Sequence, residues 1–372
     1  MKILFLVTED WFFCSHFIER AVAARQVGYE VVVLTRIGED AQRIRDAGLR
    51  LIPLRINRRS LNPLSALQTF LQIFRVYRSE RPDLVHQFAL KPILLGSLAA
   101  RLLRIRGVIN AVVGMGYAFT SDKTQMRMLR PFLTWAIAKL ICPPGSRVVF
   151  ENAEDLQAFV EDGYVRAGQA VLIRGAGVDP ALYPAALPER NPPMIVLVAR
   201  MLWDKGVGEF AEAARIVRDQ GVRARFVLIG GRDELNRAAI PEATLQQWQD
   251  EGILEWLGHR RDVPALLGQA QIACLPSYRE GFPRALLEAM AAGLPCIATD
   301  VVGCREAVRH EDNGLLVRAG DAQSLAAAFV RLIGDPDLRR RLGARGRQRV
   351  EAEFSTRLVV ERTLALYKDV LG

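Results

Sequence analysis

The sequence predicts an α/β protein made of two Rossmann-like domains, each with a parallel β-sheet covered by helices. Short apolar runs alternate with helical patterns along the chain, as in parallel sheets. The length of 372 residues suits about two domains. The expected strands are 2–7, 30–35, 84–88, 107–113, 147–152 and 170–174 in a first series, and 194–199, 225–230, 271–275, 296–299 and 314–317 in a second.

A proline-rich break at about 180–193 separates the two series. Regular structure is interrupted there by five prolines, so we expect a first domain at 1–182 and a second at 190–354. A cleft between the two sheets would hold the ligands. The first apolar run, 2–7, ends before Glu9 and Asp10, which makes it too short for a signal-peptide core or a membrane span. We interpret it as the first buried strand.

Cysteine and histidine usage gives no sign of a disulfide framework or a metal centre. The five cysteines are odd in number and have no framework spacing, which favours reduced thiols in the cytosol. The four histidines form no HExxH motif, and no Cys-x-x-Cys is present. The single Asp-x-Asp, at 335–337, lies between two helical patterns and is typical of a helix-capping turn. We therefore expect no metal and no cofactor.

The first chemical motif follows the expected strand 271–275. Glu280 precedes a helix predicted to start near Phe282, with Pro283 in its first turn. The free N–H groups and positive dipole end of that helix favour a diphosphate. Glu288 lies about 9 Å further along the helix axis, at about 1.5 Å per residue. The two carboxylates can therefore reach hydroxyls on opposite sides of a diphosphate, as a sugar nucleotide requires.

The second motif follows the expected strand 194–199, which delivers Arg200 and then Lys205. In open parallel sheets, ligands bind beyond the carboxyl ends of the strands. We expect both cations to converge on the diphosphate and to stabilise a leaving nucleoside diphosphate. An Arg and a Lys in a loop are more often a solvated pair, so this interpretation depends on both motifs occurring together.

Together the motifs resemble the retaining glycosyltransferases of family 4, which have the GT-B fold. That family carries a Glu, seven residues, Glu signature and a Gly-Arg-Leu…Lys-Gly motif, from which this chain departs at Ala199 and Met201. The resemblance implies that Glu280 binds hydroxyls of the transferred sugar and that Glu288 binds the ribose. Arg200 and Lys205 would stabilise the leaving diphosphate, without a metal. The donor site would also contain Gly281, Phe282, Pro283 and Arg284.

The loop 257–263 resembles the loop that contacts the nucleotide base in this family. It follows a strand and includes His259 and Val263. Gly230 and Gly231, after the strand 225–230, would let the backbone approach the same cleft.

Charge is concentrated in the first half of the chain. Residues 1–180 hold 24 basic and 16 acidic residues, and 41–147 alone hold 18 and 4. A basic face beside apolar segments can rest on anionic lipid, although Arg-rich helix faces can also simply keep a domain soluble. Nucleic acid would attract the same charge, but no nucleic-acid motif accompanies it, so we expect no such partner.

The first half more closely resembles bacterial family-4 enzymes that extend lipid-diphosphate-linked sugars for O-antigen or capsule. The resemblance lies in the segments 86–100 and 114–121. Where many relatives place a Gly-Gly loop after the first strand, this chain has the loop 8–16 without glycine. Hydrogen bonds from Ser15 and His16 would replace it, and the acceptor side would also include Lys91, Gly114, Gly116 and Tyr117.

The sequence therefore predicts a retaining transferase of a hexose or N-acetylhexosamine from a UDP-sugar, with GDP as the alternative nucleotide. The acceptor would be a polyprenyl-diphosphate-linked saccharide. The enzyme would be cytoplasmic and peripheral on the inner face of the cytoplasmic membrane. A transferase with a soluble acceptor and a non-catalytic sugar-nucleotide-binding protein are the alternatives. By the family resemblance, a last helix within 355–372 crosses back onto the first domain.

Overall fold

The computed structural model describes residues 1–57, 62–113, 134, 136–183, 191–234, 236 and 238–372. These residues form two compact units. The N-terminal unit is Met1–Ala176 together with Thr356–Gly372, and the C-terminal unit is Gly177–Ser355. The predicted acceptor-side residues Gly114, Gly116 and Tyr117 lie outside the described residues.

The N-terminal unit is built on a seven-stranded parallel sheet with the order β3-β2-β1-β4-β5-β6-β7. Its central strands are apolar almost throughout, as expected for strands covered by helices on both faces. The strands are β1 (Lys2–Glu9), β2 (Glu30–Arg36), β3 (Arg50–Pro53), β4 (Leu84–Phe88), β5 (Gly107–Val112), β6 (Arg147–Phe150) and β7 (Ala170–Leu172).

Helices cover both faces of this sheet. Two long helices bury Ile73 and Tyr77 from one, and Ala99 and Ala100 from the other, in one apolar cluster on the same face. The C-terminal helix Thr356–Leu371 packs on the opposite face, where the Nδ1 atom of His86 and the hydroxyl of Tyr367 lie 2.8 Å apart. The two long helices are α4 (Pro63–Glu80) and α5 (Leu90–Leu103), and further helices in the described part of this unit are α1 (Asp10–His16), α2 (Ile18–Gln26), α3 (Ala41–Asp46) and α6 (Ala153–Glu161).

The segment predicted as the loop 8–16 is instead the end of β1 followed by helix α1. The side chain of Asp10 accepts hydrogen bonds from the backbone N–H of Trp11 and Gly38. Phe13 and Cys14 face the core. Burial of this apolar face makes the segment helical, because helix formation in proteins depends mainly on tertiary packing.

The C-terminal unit has a six-stranded parallel sheet with the order β10-β9-β8-β11-β12-β13. Its strands are β8 (Met194–Val198), β9 (Arg225–Ile229), β10 (Glu255–Trp256), β11 (Ile272–Leu275), β12 (Cys296–Thr299) and β13 (Gly314–Val317). Its helices are α7 (Val207–Asp219), α8 (Glu242–Asp250), α9 (Val263–Leu267), α10 (Arg284–Ala291), α11 (Val302–Ala307), α12 (Ala322–Gly334) and α13 (Pro336–Arg349), and the C-terminal helix Thr356–Leu371 is α14. Asp335 caps α13 by accepting a hydrogen bond from the backbone N–H of Leu338.

Each unit thus has the parallel, helix-covered sheet that the sequence predicts. Strands β3 and β10 are absent from the sequence prediction. Both lie at sheet edges, β3 is only half-buried and ends in a proline, and β10 is two residues long, so neither has the apolar pattern of a buried strand. Among the described residues, no helix is long and apolar enough to cross a lipid bilayer.

Candidate active site

The site residues of the C-terminal unit lie where the strand order of its sheet reverses. The chain leaves β8 on one side, toward β9, and β11 lies on the other side of β8. At such a switch point the loops after the two strands diverge and leave a crevice at their carboxyl ends. The loop after β8 carries Arg200 and Lys205, and the loop after β11 carries Glu280. Sheet order therefore places both sequence motifs at one edge.

The two loops are held together by backbone contacts. The backbone N–H of Tyr278 and the hydroxyl of the buried Ser277 both donate to the carbonyl of Asp204, at 3.0 and 3.1 Å. Gly206 has φ 71°, and a Cβ there would lie 2.0 Å from the carbonyl oxygen of Pro276. Only glycine permits this approach. The Gly after Lys205 thus fixes the distance between the two motifs.

Lys205 and Glu280 form a direct ion pair. The Nζ atom of Lys205 donates to Oε1 of Glu280 at 2.6 Å, and their side chains are 22% and 11% exposed. An ammonium has three donors and a carboxylate accepts several hydrogen bonds, so the pair retains capacity for further contacts. The cation of one motif and the carboxylate of the other are thus held in fixed positions.

Arg200 pairs with Asp233, a residue that the sequence analysis missed. The Nη1 atom of Arg200 lies 2.6 Å from Oδ2 of Asp233, in the loop after β9. The side chain of Arg200 remains 41% exposed. Asp233 has no motif of its own and lies 33 residues from Arg200, so only the pairing of β8 with β9 reveals the contact.

The helix after β11 begins at Arg284 rather than near Phe282 as predicted. Pro283 is the N-cap residue and has extended backbone angles, φ −77° and ψ 110°. Phe282 is buried, and its ring centroid lies 5.2 Å from that of Phe354. This packing holds the chain extended up to Pro283. Gly281, Phe282 and Pro283 therefore form the connection between Glu280 and the helix.

Glu288 is fixed within its helix by Arg284 and by a tyrosine from the proline-rich segment. The Nε atom of Arg284 donates to Oε1 of Glu288 at 2.8 Å, and the carboxylate is 15% exposed. Burial raises the pKa of Tyr183, and the neighbouring charge of Glu288 raises it further. Burial lowers the pKa of Arg284, but the charges and hydrogen bonds of Glu288 and Tyr183 together outweigh burial and raise the pKa overall. The sequence analysis treated 180–193 only as a break and so missed Tyr183.

The predicted base-binding residues surround the end of β9. Gly230 has φ 149°, and a Cβ there would lie 1.7 Å from the carbonyl oxygen of Ala199. The absence of a side chain at Gly230 therefore lets the ends of β8 and β9 pack closely together. Its N–H donates to the carbonyl of Gly258 at 2.8 Å. His259 is exposed beside Gly231, and Val263 begins helix α9. The structure thus places Gly230, Gly231 and His259 together at this edge.

The described acceptor-side residues belong to the N-terminal unit, at the switch point of its own sheet. Ser15 and His16 end α1, after β1, and the Oγ and Nδ1 atoms lie 2.6 Å apart. Lys91 follows β4 and donates to the carbonyl of Asn57 at 2.7 Å. Burial lowers the pKa of Lys91. Ser15 and His16 therefore contact each other, whereas Lys91 contacts Asn57.

Two family models match the chain, one on each half. Residues 2–143 match the model described as glycosyl transferase 4-like, and residues 192–335 match the model described as glycosyl transferases group 1. The second match contains every described donor-site residue named above except Tyr183.

Two curated relatives resemble most of the chain. One is the N,N'-diacetylbacillosaminyl-diphospho-undecaprenol alpha-1,3-N-acetylgalactosaminyltransferase of Campylobacter jejuni, 29% identical over 92% of each protein. Another is the UDP-Gal:alpha-D-GlcNAc-diphosphoundecaprenol alpha-1,3-galactosyltransferase of Escherichia coli, 28% identical over 74% of this chain and 73% of the relative.

Solved structures share the fold over nearly the whole chain. HepE of Anabaena, solved in complex with UDP and glucose, has a TM-score of 0.79 at 19% identity and covers 99% of each chain. At this level of identity the likeness establishes the fold.

Proposed function

The chain belongs to the family 4 glycosyltransferases, and on that premise we propose that it is a retaining enzyme with a UDP-sugar donor. It moves a hexose or an N-acetylhexosamine to a polyprenyl-diphosphate-linked saccharide. The observation that carries the proposal is the 2.6 Å Lys205–Glu280 pair at the switch point of the C-terminal sheet. The names of the two relatives, which specify sugars on diphospho-undecaprenol, support the acceptor, and one also specifies UDP-galactose.

In this proposal the diphosphate of the donor lies against Arg200 and Lys205. Two cations stabilise the charge that develops on the leaving nucleoside diphosphate, and such fixed charges contribute most where they need no rearrangement during reaction. The ion pairs with Asp233 and Glu280 hold the cations in place. Glu288, held by Arg284, accepts hydrogen bonds from the ribose hydroxyls.

Glu280 orients the sugar and is not a nucleophile. Its carboxylate is already bound to an ammonium, which makes it a poorer nucleophile and a better fixed acceptor for sugar hydroxyls. The acceptor hydroxyl attacks the anomeric carbon from the side that the nucleotide leaves. A bond forms from the acceptor oxygen to that carbon, the bond to the diphosphate oxygen breaks, and the hydroxyl proton passes to the departing phosphate. The anomeric configuration is thereby retained.

A surface of the N-terminal unit suits peripheral contact with anionic lipid. Exposed leucines project from α4 and α5, which pack side by side on one face of the sheet. On α4 they recur at helical spacing and continue into Arg75 and Arg78, so apolar and basic side chains share one stripe. We call this set the leucine stripe; its members are Leu64, Leu67, Leu71, Leu98 and Leu102.

The test is release of UDP from a panel of UDP-sugars, with and without a polyprenyl-diphosphate-linked sugar. We expect acceptor-dependent release from one donor, and a loss of at least about a hundredfold in Glu280→Gln. Glu255→Gln is the matched control, since it removes the same charge from the exposed Arg225–Glu255 pair at the sheet edge.

The nucleotide, the acceptor, the site and the stereochemistry can each be contradicted by a different result. Release from a GDP-sugar but from no UDP-sugar would show that the donor nucleotide is GDP. Equal rates on free sugars and on lipid-linked sugars would show that the enzyme does not require a lipid-linked acceptor. Wild-type rates in Glu280→Gln would contradict the site, and an inverted product would contradict the stereochemistry.

A further inference from the structure

A cavity of about 500 Å³ lies in the N-terminal unit, at the opposite edge of the sheet from the predicted acceptor-side residues. Its wall is formed where β1, β4 and β5 begin and where α4, α5 and α14 end. All of the lining residues belong to one unit. They are Met1, Tyr77, Arg78, Arg81, Pro82, Asp83, Leu103, Arg104, Ile105, Arg106, Val370 and Leu371.

The cavity is strongly basic. Arg78, Arg81, Arg104 and Arg106 line it, and their guanidinium groups have no ion pair or hydrogen bond among the described residues. Asp83 is the one acidic lining residue, and it already accepts a hydrogen bond from the backbone N–H of Lys2 at 2.7 Å. The carboxyl ends of α4, α5 and α14 add about −0.5 each. The four arginines, Asp83 and these helix ends together give the wall a net charge of about +1.5.

A buried hydroxyl in the wall has no partner among the described residues. Tyr77 is 1% exposed, and within the described part of the chain its Oη atom makes no hydrogen bond. Burial raises the pKa of this phenol, so it stays protonated and can donate. A buried hydroxyl without a partner is unfavourable, and a ligand oxygen that accepts its hydrogen bond offsets that cost.

Two of the arginines occupy unusual backbone conformations. Arg81 and Arg104 follow α4 and α5 in the left-handed region, with φ 47° and 54°, where glycine or asparagine is common. A cation near a helix carboxyl end is favoured by the helix dipole, which accounts for a basic residue at each site. It does not account for Arg106, which lies outside any helix and faces the same cavity.

We propose that this cavity binds a phosphate ester that also carries an apolar group. Guanidinium groups recognise phosphate through paired hydrogen bonds, and the phenol of Tyr77 supplies another donor. Leu103, Ile105 and Leu371 give the apolar part of the wall. Such a ligand has two possible sources, a phospholipid headgroup or a soluble phosphate ester. The site is separate from the sugar-transfer site and does not depend on the proposed reaction.

The experiment compares binding of monomeric dihexanoyl phosphatidic acid and of glycerol 3-phosphate to the full chain by calorimetry. We expect phosphatidic acid to bind, and Arg78→Gln/Arg104→Gly to weaken it at least tenfold. Glycine suits the left-handed position of residue 104, so this variant keeps the fold. Arg45→Gln, on an exposed helix face of the same unit, is the matched control and should bind as wild type.

The variant Tyr77→Phe distinguishes a role of the hydroxyl in ligand binding from a role in the stability of the fold. We expect about fivefold weaker binding together with a melting temperature about 2 °C higher, because the variant removes an unpaired buried hydroxyl. A purely structural tyrosine would not combine these two effects. Unchanged affinity in Tyr77→Phe would overturn its assignment to the site.

Two further comparisons show whether the ligand is a phospholipid headgroup or a soluble phosphate ester. Equal affinity for glycerol 3-phosphate indicates a soluble ester, whereas binding only to phosphatidic acid, free or in phosphatidylcholine vesicles, indicates a lipid headgroup. Both results support the site. Affinity in Arg78→Gln/Arg104→Gly equal to that in Arg45→Gln, or no binding of either probe to wild type, would overturn it.

Discussion

The N-terminal unit carries 27 basic and 17 acidic residues, whereas the C-terminal unit carries 23 and 24, giving net charges of +10 and −1. In the C-terminal unit the site cations are paired: Lys205 with Glu280, Arg200 with Asp233, and Arg284 with Glu288. In the N-terminal unit, Arg75 and Arg78 on α4 and Arg101 on α5 have no carboxylate partner in the described ranges.

This difference separates two uses of charge. Paired charges in the C-terminal unit hold one another in position, which suits a site that must present fixed cations to a diphosphate. Unpaired guanidinium groups in the N-terminal unit leave a positive field outside the molecule, which attracts phosphate groups and anionic lipid.

The largest effect is expected from breaking the Lys205–Glu280 pair. Lys205→Ala should lower kcat by about 10²–10³, because it removes a leaving-group cation and leaves the carboxylate, 11% exposed, without its partner. Steady-state kinetics with the identified donor measure this. Arg225→Ala breaks an exposed pair in the same unit and is the control. Equal kcat values in Lys205→Ala and Arg225→Ala would show that the Lys205–Glu280 pair contributes no more to catalysis than an exposed surface pair.

A second variant tests the support of Glu288. Tyr183→Phe should raise the KM for the donor about fivefold with little change in kcat, because the hydroxyl contacts the carboxylate that we propose binds the ribose. Tyr278→Phe, which removes a hydroxyl 2.6 Å from Glu209, is the matched control. A lower kcat at unchanged KM would contradict a role in donor binding.

A smaller effect is expected from the leucine stripe. Leu64→Gln/Leu67→Gln should weaken binding to vesicles containing phosphatidylglycerol about fivefold, since both side chains are more than half exposed and add apolar area to the lipid contact. Leu182→Gln, which changes an equally exposed leucine of the C-terminal unit, should bind as wild type. Vesicle sedimentation provides the measurement. Equal loss in both variants would contradict a localised membrane surface.

The smallest effect concerns the pH dependence of stability in the N-terminal unit. Burial, and then the charge of Arg20, holds the pKa of His86 well below 6.5. Below pH 6.5 the unfolded chain therefore binds a proton that the folded chain does not. Stability should fall by at most about 1.4 kcal/mol per pH unit as the pH decreases from 6.5 and should be independent of this group above it.

Denaturant unfolding between pH 5 and 7.5 measures this dependence. His86→Gln should lack that component, whereas His310→Gln, which changes an exposed histidine of the C-terminal unit, should retain it. Identical slopes in wild type and His86→Gln would show that the buried imidazole does not control the acid stability of the unit.

The sequence by itself determined the fold class and indicated the candidate site residues of the C-terminal unit. Alternating apolar runs and helices predicted two parallel sheets, because strands covered on both faces must be apolar along their length. Arg200, Lys205 and Glu280 were predicted as site residues because each lies in the segment that joins a strand to the next helix. In a parallel sheet the carboxyl ends of the strands lie at one edge, so proximity in space follows from position along the chain.

Only the tertiary structure decided which partners hold these residues. Asp233 and Tyr183 carry no motif, and their contacts with Arg200 and Glu288 span long stretches of sequence. Burial of Phe13 turned the predicted loop 8–16 into a helix. The basic cavity joins residues near 1, 77–83, 103–106 and 370–371. Such contacts depend on strand order and helix packing, which apolar periodicity does not encode because it records only which face of each element is buried.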